Sequence, residues 1–289
     1  MMGGMKIQLL SDLHLEWLPD WQPPRLPQAD VLVLAGDVGS YQEGSELPHD
    51  PMDWALSRFS PKMGWPTPVL YVPGNHEYDL LEFERTHEAL RAHCEVLGIT
   101  WLHHETVVQG GVRFVGSTLW SDFDALTDHR LREGDTVSTT QALQWREKAF
   151  RAANFYLQTT GTVYKGGLML AEQVRELALE CQQWLGTALQ QPFDGPTVAV
   201  THFAPSLRSA DPRYANSKFP GQPTPGTAGF CNVLDDWFDL ADVWLHGHLH
   251  CAHDYRAGRS ERCRVVCNAL GYERKGEQAG FRPDLLIEI

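Results

Sequence analysis

The stretch YVPGNHEYD, Tyr71 to Asp79, decides the reading of this chain. Val69, Leu70, Tyr71 and Val72 form an apolar run with the composition of a buried strand. Pro73-Gly74 stops that run, and Asn75, His76 and Glu77 follow directly. Core packing gains nothing from three polar side chains in a row, so a strand that ends this way is expected to hold them out for chemistry.

Four other strand-like runs end in the same manner. Residues 6–10 lead into Ser11-Asp12-Leu13-His14, and residues 31–35 into Gly36-Asp37. Residues 197–201 lead into His202, and residues 243–246 into Gly247-His248-Leu249-His250. Further strands are expected at 112–116, 265–268 and 285–289. Helical spacing of three and four appears over 80–97 (Leu80, Phe83, His87, Leu90, Cys94) and over 170–189 (Val174, Leu177, Cys181, Leu185). Apolar strands alternating with helices predict an α/β fold, in which sites gather at the carboxyl ends of the strands. Five polar strand ends would then meet in one place if their strands are parallel neighbours.

Two segments differ from this pattern. Residues 121–190 carry a more polar stretch with a helical pattern at 141–158, expected to be an insertion or lid. Residues 205–229 include SADPRYANSKFPGQPTPGTAG (209–229), read as a long Pro/Gly-rich loop beside the site. Nothing between them resembles a domain linker, so one domain over 1–289 is expected.

The net charge of −13 argues against a broad nucleic-acid-binding face. Six cysteines without paired spacing point to thiols in a reducing compartment, and the short apolar run before Asp12 is no signal-peptide core, so a cytoplasmic location is expected. No window reaches the length of a membrane span.

Carboxylate and imidazole without paired thiolates suit a catalytic Mn, Fe or Zn site. Asp12, His14, Asp37, Asn75, His202, His248 and His250 are too many for one tetrahedral ion. Two ions sharing a carboxylate, roughly 3.5–4 Å apart, would use them all in the clamp that serves in-line attack at phosphorus.

In this order, Asp12-x-His14, Gly36-Asp37, Gly74-Asn75-His76-Glu77, His202 and Gly247-His248-x-His250 resemble the motifs of the calcineurin-like metallophosphoesterases. The resemblance implies an α/β/β/α fold, two β-sheets sandwiched between helical layers, and a dinuclear centre of two divalent or trivalent ions. It implies one ion on Asp12, His14, Asp37 and His250, and a second on Asp37, Asn75, His202 and His248, with Asp37 bridging. A metal-bridging hydroxide would attack phosphorus, Asn75 and the metals would stabilise the oxyanion, and His76 would assist the leaving oxygen. Glu77 would orient His76 or support the metal shell, and His246 has no ligand counterpart.

After Gly36-Asp37 the chain runs Val38-Gly39-Ser40-Tyr41-Gln42, without the phosphate-gripping Arg of the protein Ser/Thr phosphatase branch. That difference favours small phosphodiesters or nucleotide-type substrates; a phosphoprotein phosphatase and a non-catalytic metal-binding scaffold of the same fold are the alternatives. Arg208, Arg213, Tyr214, Asn216 and Lys218, in the loop after His202, are the candidate substrate contacts, by charge pairing and stacking. Trp120, Ser121 and Asp122 are expected to line the same pocket.

Overall fold

A computed structural model describes residues 4–214 and 222–289. The apolar runs become strands wherever β-branched and aliphatic residues are continuous: β1 (Lys6–Leu10), β2 (Val31–Ala35) and β3 (Val69–Val72). There follow α1 (Phe83–Leu97), β4 (Thr100–Trp101), β5 (Glu105–Gln109) and β6 (Val112–Ser117). The next segment holds α2 (Ala125–Arg132), α3 (Thr139–Thr160), β7 (Val163–Tyr164), β8 (Gly167–Leu168) and α4 (Ala171–Leu189). The chain closes with β9 (Thr197–Thr201), β10 (Val243–His246), β11 (His253–Ala257), β12 (Cys263–Cys267) and β13 (Leu286–Glu288).

Two large sheets result. The first has the order β13-β1-β2-β3-β4, and the second β11-β12-β10-β9-β6-β5. Pairing inside each is parallel, while β13, β11 and β5 are antiparallel edges. The edge strands β5 and β11 escape a search for apolar runs because alternate residues face solvent, and ETVVQ and HDYRA are half exposed.

The period-two geometry of a strand divides the core into two. Ile7, Leu9, Val31, Val33, Leu70 and Val72 share one apolar cluster with Val112, Phe114, Val198, Val200, Val243 and Leu245, which places it between the sheets. Their alternates Leu10, Leu32, Leu34, Tyr71, Val115, Ala199 and Trp244 join the cluster beneath the helices. There α1 packs on β4, and α4 on β6. Sheet against sheet with helices outside is the layering expected. The five polar strand ends belong to two sheets rather than one, because the chain crosses over between β3 and β9.

Helix α1 begins three residues later than its periodicity suggests. Leu80 sits in the left-handed region (φ 61°), and the Glu82 side chain caps the helix through Arg85 N at 2.8 Å. Phe83, Thr86, Leu90, Cys94 and Leu97 then form its buried face. The 141–158 pattern extends to the 22 residues of α3, opened by a capping box between Ser138 and Gln141 and closed at Gly161. Three short 3-10 turns, Leu207–Ser209, Pro212–Tyr214 and Thr227–Gly229, occupy the described parts of the Pro/Gly-rich loop.

Behind the site, His87 accepts a hydrogen bond from Tyr78 Oη at Nδ1 (2.8 Å), anchoring the 76–78 turn to α1. Burial, with His104 and Arg91 nearby, pushes the His87 imidazole down to about 4, and burial beside His104 and His87 holds His103 well below the ordinary histidine value. Both rings stay neutral in the fold but take up a proton in the unfolded chain below about pH 6.5. Stability is therefore expected to be unaffected by these groups at neutral pH and to fall from about pH 6.5 toward 4. Melting temperatures of wild type and a His87→Gln/His103→Gln variant across that range test this. The variant should show the shallower decline, and parallel curves would refute the assignment.

Candidate metal centre

Each strand end turns toward one point between the sheets. Asp12 and His14 follow β1, Asp37 follows β2, Asn75 and His76 follow β3, His202 follows β9, and His248 and His250 follow β10. Within each sheet the turns are stitched together, Asp12 N donating to Gly36 O (3.0 Å), His14 N to Asp37 O (3.1 Å) and Gly247 N to His202 O (3.0 Å), and Gly271 N to Asp12 O (2.9 Å) ties one sheet to the other. Asp12, His14, Asp37, His248 and His250 all adopt positive φ between 46° and 71°. Non-glycine residues avoid that region, and its concentration here marks a geometry imposed by the surroundings. A Cβ on Gly74 would run into the Asp37 carboxylate, and one on Gly247 into that of Asp12, so both motif glycines clear space for a neighbouring side chain.

The donor atoms fall into two sets. Asp12, His14, Asp37 and His250 form one, and Asp37, His202 and His248 the other, each with its donor atoms within 4.8 Å of one another. His14 Nε2 lies 3.1 Å from His250 Nε2, and His250 Nε2 lies 3.4 Å from Asp12 Oδ1. His202 Nε2 lies 3.1 Å from Asp37 Oδ2 and 3.2 Å from Asn75 Oδ1, which brings Asn75 to the second set. Asp37 Oδ2 and His248 Nε2 are buried without a hydrogen-bond partner among the described residues. Orphaned donors of this kind facing one another are what a cation would satisfy, so the residues fit a pair of ions.

The far sides of the rings set which nitrogen is free. His14 Nδ1 donates to Glu16 Oε1 (3.0 Å), His202 Nδ1 to Ala35 O (2.8 Å) and His250 Nδ1 to Glu277 Oε2 (2.6 Å). Each acceptor holds a proton on Nδ1, so that in the neutral ring, the form that binds a metal, the Nε2 lone pair faces inward. Burial opposes charge on Asp37, but His202 and His76 outweigh it and hold its carboxyl well below the usual range. Burial likewise opposes charge on His202 and His250, yet Asp37 pushes the first up to about 9, and Asp12 with Glu277 the second.

His76 is oriented by Asp79, with Nδ1 2.5 Å from Asp79 Oδ2, and its Nε2 faces the cleft. Glu77 does not touch that ring. Its carboxyl accepts from Val38 N and Gly74 N, both at 2.9 Å, and so ties the turn carrying Asp37 to the turn carrying Asn75. Of the two roles expected for Glu77, support of the ligand turns matches these contacts and orientation of His76 does not. His246 is buried and donates from Nδ1 to Gly247 O (3.0 Å), which leaves Nε2 to accept from Ser209 Oγ (3.0 Å). It braces the strand end.

Above the donors opens a cleft of about 940 Å³, its wall including Leu207, Pro223, Phe230, Val233 and Leu249, with Arg132, Arg208 and Lys275 also lining it. Arg208 lines it while donating to Arg256 O (2.8 Å) and covering the Tyr255 ring. Arg213 turns to the Asp211 carboxylate (2.7 Å) and to His250 O (3.3 Å), so it steadies the His250 turn. Tyr214 closes a 3-10 turn, and Asn216 and Lys218 lie outside the described residues. Trp120, Ser121 and Asp122 do not line the cleft. They are buried, and Asn232 holds the backbone on both sides of Ser121, donating to Trp120 O and accepting from Asp122 N.

Glu16, Asp79, Glu277, Tyr156 and Tyr272 escape the sequence reading. Glu16 and Asp79 carry a signal in their spacing, two residues after His14 and three after His76. Glu277 and Tyr272, whose ring stacks on His14 at 4.2 Å, carry none, because only folding returns the C-terminal segment to the site. His103, His104 and Cys181 also lie close together. There His103 Nδ1 accepts from Thr118 N (3.0 Å), which leaves the ring proton on Nε2, and burial pushes the Cys181 thiol up to about 12, so this group packs the interior.

Loss of the acceptor behind His250 tests the ring-orienting role. Glu277→Ala is expected to weaken Mn binding about 10- to 100-fold, measured by titration. Affinity equal to wild type would remove that role from Glu277.

Comparison with known proteins agrees with this geometry. The family model for calcineurin-like phosphoesterases matches residues 5–252. An uncharacterized protein of Acanthamoeba polyphaga mimivirus is 23% identical over 313 residues, covering 98% of this chain and 96% of that protein. Among solved structures, phosphopantetheinyl hydrolase from Mycobacterium tuberculosis superposes with a TM-score of 0.67 at 18% identity, covering 100% of this chain and 97% of that one. A dimetal phosphatase from Danio rerio gives a TM-score of 0.43 at 12% identity, over 92% and 87% of the two chains. With the family model spanning most of its length and two adjoining sets of metal-type donors at its strand ends, the chain belongs to the calcineurin-like phosphoesterases and is a metal-dependent phosphoester hydrolase.

Proposed function

We propose that the protein hydrolyses small phosphodiesters, with one metal ion on Asp12, His14, Asp37 and His250 and a second on Asp37, Asn75, His202 and His248. The observation that carries this reading is the sharing of buried Asp37 by two donor sets on the floor of a large cleft. When bound, such a pair supplies positive charge to the phosphoryl oxygens and acidifies the water that attacks phosphorus. Mixed carboxylate, imidazole and amide donors suit Mn, Fe or Zn.

The chain's own groups divide the remaining work. Asn75 puts an amide beside the donors, where it can reach a phosphoryl oxygen. His76, held at Nδ1 by Asp79, presents Nε2 to the leaving oxygen as its proton source. The cleft is far larger than a phosphate needs, and its apolar wall with cationic groups suits an ester with two organic arms. A diester carrying a phosphopantetheinyl arm is the first natural substrate to test, given the fold shared with the mycobacterial enzyme. Residues 121–190 act as an insertion over the cleft within one domain. The six free thiols are in keeping with a cytoplasmic enzyme.

Mn-reconstituted protein should cleave bis(p-nitrophenyl) phosphate in preference to p-nitrophenyl phosphate. Asp37→Asn should lose both bound metal and turnover. His76→Ala should keep the metal and lose about 10²- to 10⁴-fold in turnover of a diester with an unactivated leaving group, methyl phenyl phosphate. A preference for the monoester, or an unchanged rate in His76→Ala, would overturn the diesterase reading or the role of His76 respectively.

A further inference from the structure

The inserted helix α3 brings a side chain to the reacting end of the site. Tyr156, one turn from its C-terminus, places its hydroxyl 3.3 Å from His76 Nε2, the ring nitrogen that faces the cleft. Its ring meets that of His76 edge-on at 6.4 Å and forms part of the cleft wall.

A tyrosine used only for packing buries its ring and leaves its hydroxyl wet. Tyr156 does the reverse: the residue is 45% exposed, and its polar end is tucked against the active-site imidazole. The helix end that carries it is pinned. Leu80 N donates to Thr160 O (2.8 Å), Thr162 Oγ1 to Tyr78 O (3.1 Å), and Ala171 N to Asn154 Oδ1 (2.8 Å). Two of these bonds run to the segment that follows His76, so the phenol and the imidazole are held on one frame.

We propose that Tyr156 is a catalytic residue that donates a hydrogen bond to the leaving oxygen of the ester, side by side with His76. The proposal rests on the diesterase reading above and deepens it. In the ground state, with the His76 ring proton on Nδ1 toward Asp79, Nε2 accepts from the Tyr156 hydroxyl. With His76 protonated, Nε2 no longer accepts, and the phenol hydroxyl 3.3 Å away is free to turn to a leaving oxygen that lies against both groups. As the P–O bond breaks, its electron pair stays on the leaving oxygen, and the His76 proton moves to that oxygen. Water supplies the new P–O bond and gives its spare proton to solvent, so diester and water become monoester and alcohol. The phenol keeps its proton throughout and offsets the charge on the leaving oxygen before His76 delivers its own. Such a contact matters most when the leaving group is a poor one, an aliphatic alkoxide or a simple phenolate, and little when it is activated.

The test compares Tyr156→Phe with wild type, both loaded with Mn, on methyl p-nitrophenyl phosphate and methyl phenyl phosphate. Phenylalanine keeps the ring and its packing, and an unchanged Mn content checks that the donor sets are intact. The variant should lose about 10- to 100-fold in kcat on the phenyl ester and less than about threefold on the nitrophenyl ester. Equal losses on the two esters, or equal activity on both, would overturn the role of Tyr156 while leaving the diesterase reading in place. Wild type that cleaves neither ester would overturn the diesterase reading, and the Tyr156 assignment with it.

Discussion

The site is organised around one buried carboxylate. Asp37 is wholly removed from solvent, accepts His76 N at Oδ1 (2.9 Å) and turns Oδ2 toward His202 (3.1 Å). Leaving a carboxylate charged in such a place is costly unless cations or hydrogen bonds surround it. The imidazoles of both sheets supply that compensation. His76 and His14 come from the first sheet and His202 from the second, so the charge of Asp37 is satisfied only when the two sheets pack in register. The apolar layer between them, from Ile7 to Leu245, sets that register.

The strain at the strand ends follows from the same demand. Five side chains must reverse out of parallel strands within two to four residues, and each does so in the left-handed region at about 1–3 kcal/mol. Backbone bonds between the turns and the carboxyl of Glu77 hold these conformations. Glycines at 74 and 247 admit the Asp37 and Asp12 carboxylates where any side chain would collide. Rigidity of this kind presents preformed donors instead of gathering them when a ligand arrives.

Chemistry and selection are placed on different parts of the chain. The polar floor comes from strand ends, where the sheets leave no freedom. The cleft wall comes from 125–160, the loop after His202 and the C-terminal segment that carries Tyr272 and Glu277. The chain is acidic overall, with a net charge of −13, so the attraction of a phosphoester to this floor must come from the ions it binds and from the few cations at the wall.

The strands and the donors were legible in sequence because both are local. An apolar run of four or five residues reads as a buried strand, and an Asp or His directly after it stands out, as at Asp12, Asp37 and His202. The edge strands β5 and β11 were not legible, since half-exposed edges carry no apolar run. Nor was the start of α1, set by the left-handed turn at Leu80 and the cap at Glu82. The orienting partners divide the same way: Asp79 is three residues from His76, whereas Glu277 is 27 residues from His250. By itself the sequence determined which side chains are offered and the class of reaction they suit. Only the tertiary structure decided that Asn75 joins His202 beside Asp37 and that Tyr156 reaches the imidazole of His76. These are contacts between residues whose separation along the chain carries no signal, and they are made by the packing of the two sheets and of α3 against the strand ends.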